Sequence, residues 1–592
     1  MRLTPEQFWT YSEWLFDNWG LLTGLLLVIV LAVIGFLVGF VVSMIKRGPG
    51  EGFLHVAKII RELFAVDLPK TSVRRVYAIA SLAVKEAIRK KILVVVAVFV
   101  IAIMFAGWYL DPKSDNPAQL YISFVMFWTN ILMLILGLFV SCFSLPADIK
   151  SRTIYTIVTK PVRATELFFG RVFGFVAVGT IILLLLGSMS YLFVVRGLNH
   201  THEIEELAPN GISGSTTTER FHQHSFLIEE NGSGATNVVK GHRHEVLKQG
   251  DKIVLGPPVD DLTARVPVYG RLRFTGRDGE ESEGYNVGYM SEYQKYIEGD
   301  TLSSAIWKFK DVRPSSSDQT ALNYDITLSA FRTYKGDIVT PVGGVVVFRS
   351  TDGTVESERF SFKVKEFQID QRSIPLKLKG FRNGEPADLD FFQDIAPDGT
   401  FEIMVRCLDR NQYLGMAAAD VYLRRDTKSF WQNFVKGYIS IWLQMVIVIC
   451  FGVMFSCFLS GQVALIATVS FLVLGFFGSF VDNVLSKKIE GGGPIESLIK
   501  IPLGASATIE LDLGSPVLEN VIRSSDRGLL TCVKTLKDAI PNFNQLGTSD
   551  FVAYGVDLSS GLLARHLTIC FGYFLMTSLI SYFFLKTREM AA

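Results

Sequence analysis

The chain has 592 residues, 49% of them hydrophobic and 19% charged, with a mean hydropathy of +0.33 and a net charge of +1. Soluble globular chains carry about 25% charged residues, so the shortfall points to a polytopic membrane protein. Near-zero net charge offers no field for nucleic acid, and the six Cys form no CxxC zinc or redox pair.

Met1 to Trp19 is polar and aromatic and lacks a basic n-region, so it does not read as a cleavable signal. Crossing about 30 Å of hydrocarbon takes about 20 apolar residues. Seven stretches qualify: Trp19–Ile45, Ile92–Leu110, Leu120–Leu145, Phe168–Val195, Phe434–Leu459, Val463–Val481 and Leu562–Leu585. The fold class is therefore a polytopic α-helical membrane protein of about seven spans, carrying an inserted polar region.

Lys and Arg in short loops set the orientation. Lys46 to Lys91 holds eleven Lys/Arg against four acidic residues, and Pro146 to Arg171 holds Lys150, Arg152, Lys160, Arg163 and Arg171. Both are read as cytoplasmic. Alternation then places the N-terminus outside, the C-terminus inside, and residues 196–430 and 482–561 outside.

Residues 1–47 form the N-terminal span and 48–91 a cytoplasmic linker. Its end, Val73–Lys91, is amphipathic: Val76, Ile79, Ala80, Ala83 and Ala87 share a helical face, which suits the lipid interface. Residues 92–195 hold three spans and 431–592 the last three. Between them, 196–430 is long enough for its own core. From about Val266 it shows short alternating runs, among them Val266–Phe274, Tyr324–Phe331, Val342–Phe348, Phe360–Val364, Phe401–Cys407 and Ala419–Leu423. Turn dipeptides separate many of them, as in an antiparallel sandwich or jelly roll. In 482–561, Val517–Ile522 and Leu529–Leu536 read as two short surface helices.

The loop from Leu145 to Arg171 reads as a short helix with Ile154, Ile157 and Val158 on one side, broken at Lys160-Pro161. A second helix starts near Thr165, a good N-cap, with Glu166 in its first turn. Such a pair of helices can dock into a groove on a partner.

In Asp148, Ile149, Arg152-Thr153, Lys160-Pro161-Val162-Arg163, Glu166 and Gly170-Arg171 this segment resembles the coupling loop of type 2 ABC transporter permeases. It departs in having Arg152 where Gly is usual and in setting Arg163 next to Val162. Tyr77–Lys91 resembles the amphipathic helix that leads into the family's first core span. Pro541-Asn542-Phe543, Tyr554-Gly555-Val556 and the end Lys586-Thr587-Arg588-Glu589 resemble its closing segment. The likeness covers the six spans from Ile92 to Leu585. The first span and residues 196–430 are additions.

The resemblance implies an exporter permease of the bacterial inner membrane, not itself an enzyme. It implies a separate ABC ATPase subunit as partner, surrounding membrane lipid, and a homodimer or a second permease chain. It also assigns coupling to Asp148, Ile149, Arg152, Thr153, Lys160, Pro161, Arg163 and Glu166. The chain has no Gly-x-x-x-x-Gly-Lys-Ser/Thr phosphate loop of its own.

Six of the eight His form three His-x-His pairs: His200/His202, His222/His224 and His242/His244. Residues two apart on a strand share a face, so each pair could present two imidazoles to Zn²⁺, Cu²⁺ or Ni²⁺. Alternatively the pairs are polar strand or loop positions, or a pH sensor. A membrane-anchored binding or sensory protein is thus the other functional reading.

Overall fold

A computed structural model of the chain describes residues 10–587 apart from most of 18–47 and from 90–92, 109, 112, 115, 151–161, 210–211, 229–231, 250–251, 288–293, 315–318, 333–340, 365–368, 479, 481, 483–492, 505–514 and 539. The expected first span lies largely outside the described residues. So do Arg152, Thr153, Lys160 and Pro161.

Twelve helices are described: α1 (Pro49–Glu62), α2 (Val73–Arg89), α3 (Val94–Met104), α4 (Pro117–Lys150), α5 (Ala164–Leu198), α6 (Phe430–Ser456), α7 (Gly461–Phe476), α8 (Pro494–Leu503), α9 (Pro516–Asp538), α10 (Phe543–Leu546), α11 (Ser549–Ala553) and α12 (Ser560–Thr587). Four of them, α4, α5, α6 and α12, are long and apolar enough to cross a membrane, while α3 and α7 are apolar but shorter. This is a membrane protein by length and composition of its helices. Among the described residues of the span expected at Ile92–Leu110, the α-helical part is α3, and a 3-10 turn at Ala106–Trp108 follows it.

The central helix of the bundle is α6, which packs against α4, α5, α7 and α12. Polar groups inside the bundle find partners on neighbouring helices, the usual solution away from water. Thr129 and Tyr438 hydroxyls lie 3.2 Å apart, and Gln444 Nε2 donates to Leu546 O at 3.2 Å.

Of the expected apolar face, α2 buries Val76, Ile79, Ala83 and Ala87, with Ala80 half-buried. It lies along α5, where two glycines admit it. A Cβ on Gly170 would stand 2.6 Å from Ile79 Cβ, and one on Gly174 would stand 2.7 Å from Ala83 Cβ.

The reading of 482–561 as two short helices is corrected: α9 is one continuous helix. Its polar middle suggested a break. There Asp526 accepts the Ile495 and Glu496 N–H groups at 2.7 and 3.0 Å, capping α8 from across the gap.

Between α5 and α6 the chain is mainly β. Its first part holds six strands, β1 (Ile204–Leu207), β2 (Ser213–Thr216), β3 (Ser225–Ile228), β4 (Ser233–Thr236), β5 (Arg243–Gln249) and β6 (Lys252–Val259), paired in chain order. The strand pattern therefore begins about sixty residues before Val266. In β2 and β4 Gly, Ser and Thr replace the alternating apolar residues that mark a strand. The second part, opening with β7 (Thr263–Tyr269), is a set of antiparallel sheets around a core that includes Trp307, Phe309, Phe348, Phe391 and Phe401. The expected strands Val266–Phe274 and Tyr324–Phe331 are each divided into two.

The β region is fastened to the bundle. Arg265 N donates to Gly555 O at 2.8 Å and Asp557 N to Arg265 O at 2.8 Å, adding the turn before α12 to β7. Lys428 and Lys436 both reach Asp557, at 3.0 and 2.6 Å.

Candidate functional site

Two constellations combine charged or ligating side chains with burial. The first lies on either side of residues 151–161, which are outside the described residues. Arg171 is 1% exposed and donates to Glu86 of α2 at 2.5 Å, to Ser144 at 2.6 Å and to Asp148. Asp148 thus faces inward, onto an arginine, at the end of α4. Ile149 packs against the bundle core.

On the other side of the loop, Glu166 is fully buried at the start of α5. It accepts Ser72 N at 2.8 Å, Arg75 Nε at 2.8 Å, Arg75 Nη2 at 2.6 Å and Arg163 N at 3.1 Å. Arg163 Nε lies 3.2 Å from Asp67, whose other oxygen accepts Tyr582 OH at 2.8 Å and Lys586 Nζ at 3.0 Å. The segment after α1, α2, α5 and the end of α12 therefore meet where the loop leaves the bundle. Asp67, Arg75 and Glu86 escaped the sequence reading. Their one signal was a carboxylate or arginine next to an apolar helical face.

The second constellation unites all three His-x-His pairs. One pair precedes each of the hairpins β1–β2 and β3–β4, and the third straddles the start of β5 in the hairpin β5–β6. His224 N donates to Thr216 Oγ1 at 3.0 Å, and His244 N repeats the bond to Thr236 Oγ1 at 2.8 Å. His202, His224 and His244 donate Nδ1–H to the carbonyls of Thr217, Asn237 and Gly256 at 2.8, 2.9 and 2.8 Å. His200 and His222 donate to Leu198 and Arg220 at 2.8 and 3.3 Å. His242 Nδ1 stands 3.6 Å from Asp261 Oδ2. Fixing the proton on Nδ1 in the five carbonyl-bonded rings leaves their Nε2 a lone pair, the state that binds metal.

Those nitrogens converge. Nε2 of His222 lies 3.2 Å from that of His200, 3.2 Å from that of His202 and 3.1 Å from that of His242; His224 and His242 are 3.3 Å apart. Two tetrads, His200/His202/His222/His242 and His202/His224/His242/His244, each bring their ligand atoms within 4.8 Å of one another. Burial, reinforced by the neighbouring imidazoles, lowers His200, His222 and His224 to about 4 and His242 to about 2. These four rings resist protons, and the largely buried cluster presents converging nitrogen that could hold a metal ion. Burial, with Asp260 alongside, raises Asp261 to about 7. Glu203, Glu219 and Glu245 do not join the tetrads.

Cys407, buried, and Cys532, exposed, are both free thiols. Comparison of the chain with protein families, curated proteins and solved structures finds no match.

Proposed function

We propose that the chain is the permease subunit of an ABC-type exporter, with ATP hydrolysis in a separate subunit. In this reading there are seven spans, the β region is extracytoplasmic, the C-terminus is cytoplasmic, and two permease chains share the bacterial inner membrane. One observation carries the reading. Buried charge clusters centred on Arg171 and Glu166 tie both ends of the loop 151–161 to α2, α5 and the end of α12. A force applied to that loop by a partner is delivered to three helices at once, because packed, ion-paired elements move as units. The order of elements supports it too: the amphipathic α2, then the apolar α3, α4 and α5, and after the β region the apolar α6, α7 and α12, with the short pair α10–α11 before the last.

The test is purification from native membranes in mild detergent. An ATPase with a phosphate loop should accompany the chain, and Thr153→Pro should lose it. A wild-type chain that runs alone and stimulates no ATP hydrolysis overturns the reading. The second reading, a membrane-anchored binding or sensory protein, is favoured by the six-histidine cluster. It requires that the outer ligand exchange freely.

A further inference from the structure

The six imidazoles are not merely close; their arrangement has a definite geometry. Six rings make fifteen pairs. Twelve of these have centroids 4.8–5.3 Å apart, all crossing steeply. The three pairs not in ring contact are His200/His224, His202/His242 and His222/His244. An octahedron has twelve edges and three diagonals. Each ring is opposite one other ring and beside the remaining four, so the six occupy its vertices.

The diagonals obey a rule. The first His of each pair stands across from the second His of the next pair: His200 from His224, His222 from His244, His242 from His202. His200, His222 and His242 therefore form one triangular face, and His202, His224 and His244 the opposite one. This is three-fold pseudosymmetry, built by three copies of one unit.

The size fits as well. All four close Nε2 spacings, 3.1–3.3 Å, fall on edges. An octahedron with such edges has its centre about 2.3 Å from each vertex, close to the about 2.0–2.1 Å of a zinc–imidazole bond. Without a cation, lone pairs would face one another at these distances, since each Nδ1 but that of His242 is committed as a donor to a backbone carbonyl.

We infer that residues 199–261 form a three-repeat module that folds around a single first-row divalent ion, Fe²⁺, Co²⁺ or Ni²⁺ in class, held by six imidazole nitrogens at a closed octahedral site. Imidazole suits these ions, and a saturated octahedron disfavours zinc, which prefers four ligands in structural sites. Six ligands leave no position for substrate, so the ion is structural. The module needs such a staple. Among the described residues its own apolar core holds Phe226, Ile228 and Val246, with Ile204, Ile253 and Leu255 partly covered. A unit of about sixty residues with so little core calls for a metal or disulfide, and metal affinity then becomes folding free energy. Asp261 beside His242 supplies a nearby carboxylate for the added positive charge. The inference stands apart from the exporter reading, which concerns the opposite ends of the helices.

The experiment uses the full chain in detergent, purified through a histidine-free tag. Elemental analysis should find about one divalent transition ion per chain. After stripping with a chelator, Co²⁺ added back should bind with one-to-one stoichiometry and give the weak visible bands of six-coordinate cobalt. Stripping should speed proteolysis within 199–261 by about tenfold or more, with Co²⁺ restoring resistance. His202→Ala with His224→Ala and His244→Ala, which deletes one face, should abolish both effects. Intense four-coordinate bands would overturn the octahedron. Binding of less than about a tenth of an equivalent of Co²⁺ would overturn the site. An apo module as resistant as the loaded one would overturn the structural role. Because the titration uses the wild-type chain, misfolding of the triple variant does not decide the outcome.

Discussion

Arg171 of α5 donates to Glu86 of α2 at 2.5 Å from a position 1% exposed. The same guanidinium reaches Asp148 and Ser144 of α4, so three helices meet on one buried cation. Arg171→Ala leaves two part-buried carboxylates without the charge they share. Breaking a buried pair from one side costs about 3–5 kcal/mol. The thermal midpoint in detergent should fall accordingly. Arg171→Lys should recover only part, because an ammonium lacks the fork that reaches both acids. A midpoint unmoved by Arg171→Ala removes this cluster from any account of stability.

Gly174 sets the contact between the same two helices. A Cβ there would stand 2.6 Å from Ala80 O and 2.7 Å from Ala83 Cβ, neither of which can swing aside. Gly174→Ala should destabilise the chain by about 1–3 kcal/mol, and Gly174→Leu by more. Amide exchange in Val73–Arg89 should quicken selectively. Equal protection in the variant would mean that α2 is not held by this contact.

How far the sequence disclosed this fold depends on the signal each element carries. Apolar runs such as Leu120–Leu145 stand out because a bilayer-length helix needs little else. The face of α2 was legible from Val76, Ile79, Ala83 and Ala87, since a 3.6-residue period survives any context. The strands β1–β4 were hidden. They are four residues each, β2 and β4 are built of Ser, Gly, Thr and Ala, and β1 buries none of its residues. Yet the module was announced by its ligands: His200, His222 and His242 recur at intervals of 22 and 20 residues, a repeat visible before any strand. The pairs were read as separate two-ligand sites because sequence spacing reports neighbours along a strand, not convergence of three hairpins. The charge clusters were half legible. Asp148 and Glu166 were marked by position in the loop, but that Asp148 turns inward onto Arg171 is a tertiary fact.

Arg265 joins the β region to the helices. It is 8% exposed, donates its backbone N–H to Gly555 O and its guanidinium to Tyr554 O, and has Nη1 3.8 Å from Asp325 Oδ2. Asp325 is fully buried, and burial raises its pKa while Arg265 and Arg424 oppose the rise. Arg265→Met should therefore loosen β7 and Val421–Ser429 in hydrogen exchange. Adding Asp325→Asn should restore much of the loss, with a coupling of about 0.5–3 kcal/mol in the double-mutant cycle. Strictly additive effects would show that the two residues do not interact.

Asp420 gives the β region a pH dependence of calculable sign. It is 4% exposed, and burial pushes its carboxyl up to about 7 even though it accepts Ala417 N–H at 2.7 Å. Unfolded, it titrates near about 3.9. Between these values the folded chain holds a proton that the unfolded chain has released. Its contribution is therefore full below about pH 4 and declines as pH rises through about 7, by at most ~4 kcal/mol. Asn at this position keeps an acceptor for Ala417 and has no proton to lose. The protection of Val421–Ser429, corrected for intrinsic exchange, should fall from pH 4 to 7 relative to Asp420→Asn. Reading the difference in this strand isolates Asp420 from protons that compete for the histidine module. Protection that rises with pH relative to the variant would mean that the carboxylate is stabilised where it sits.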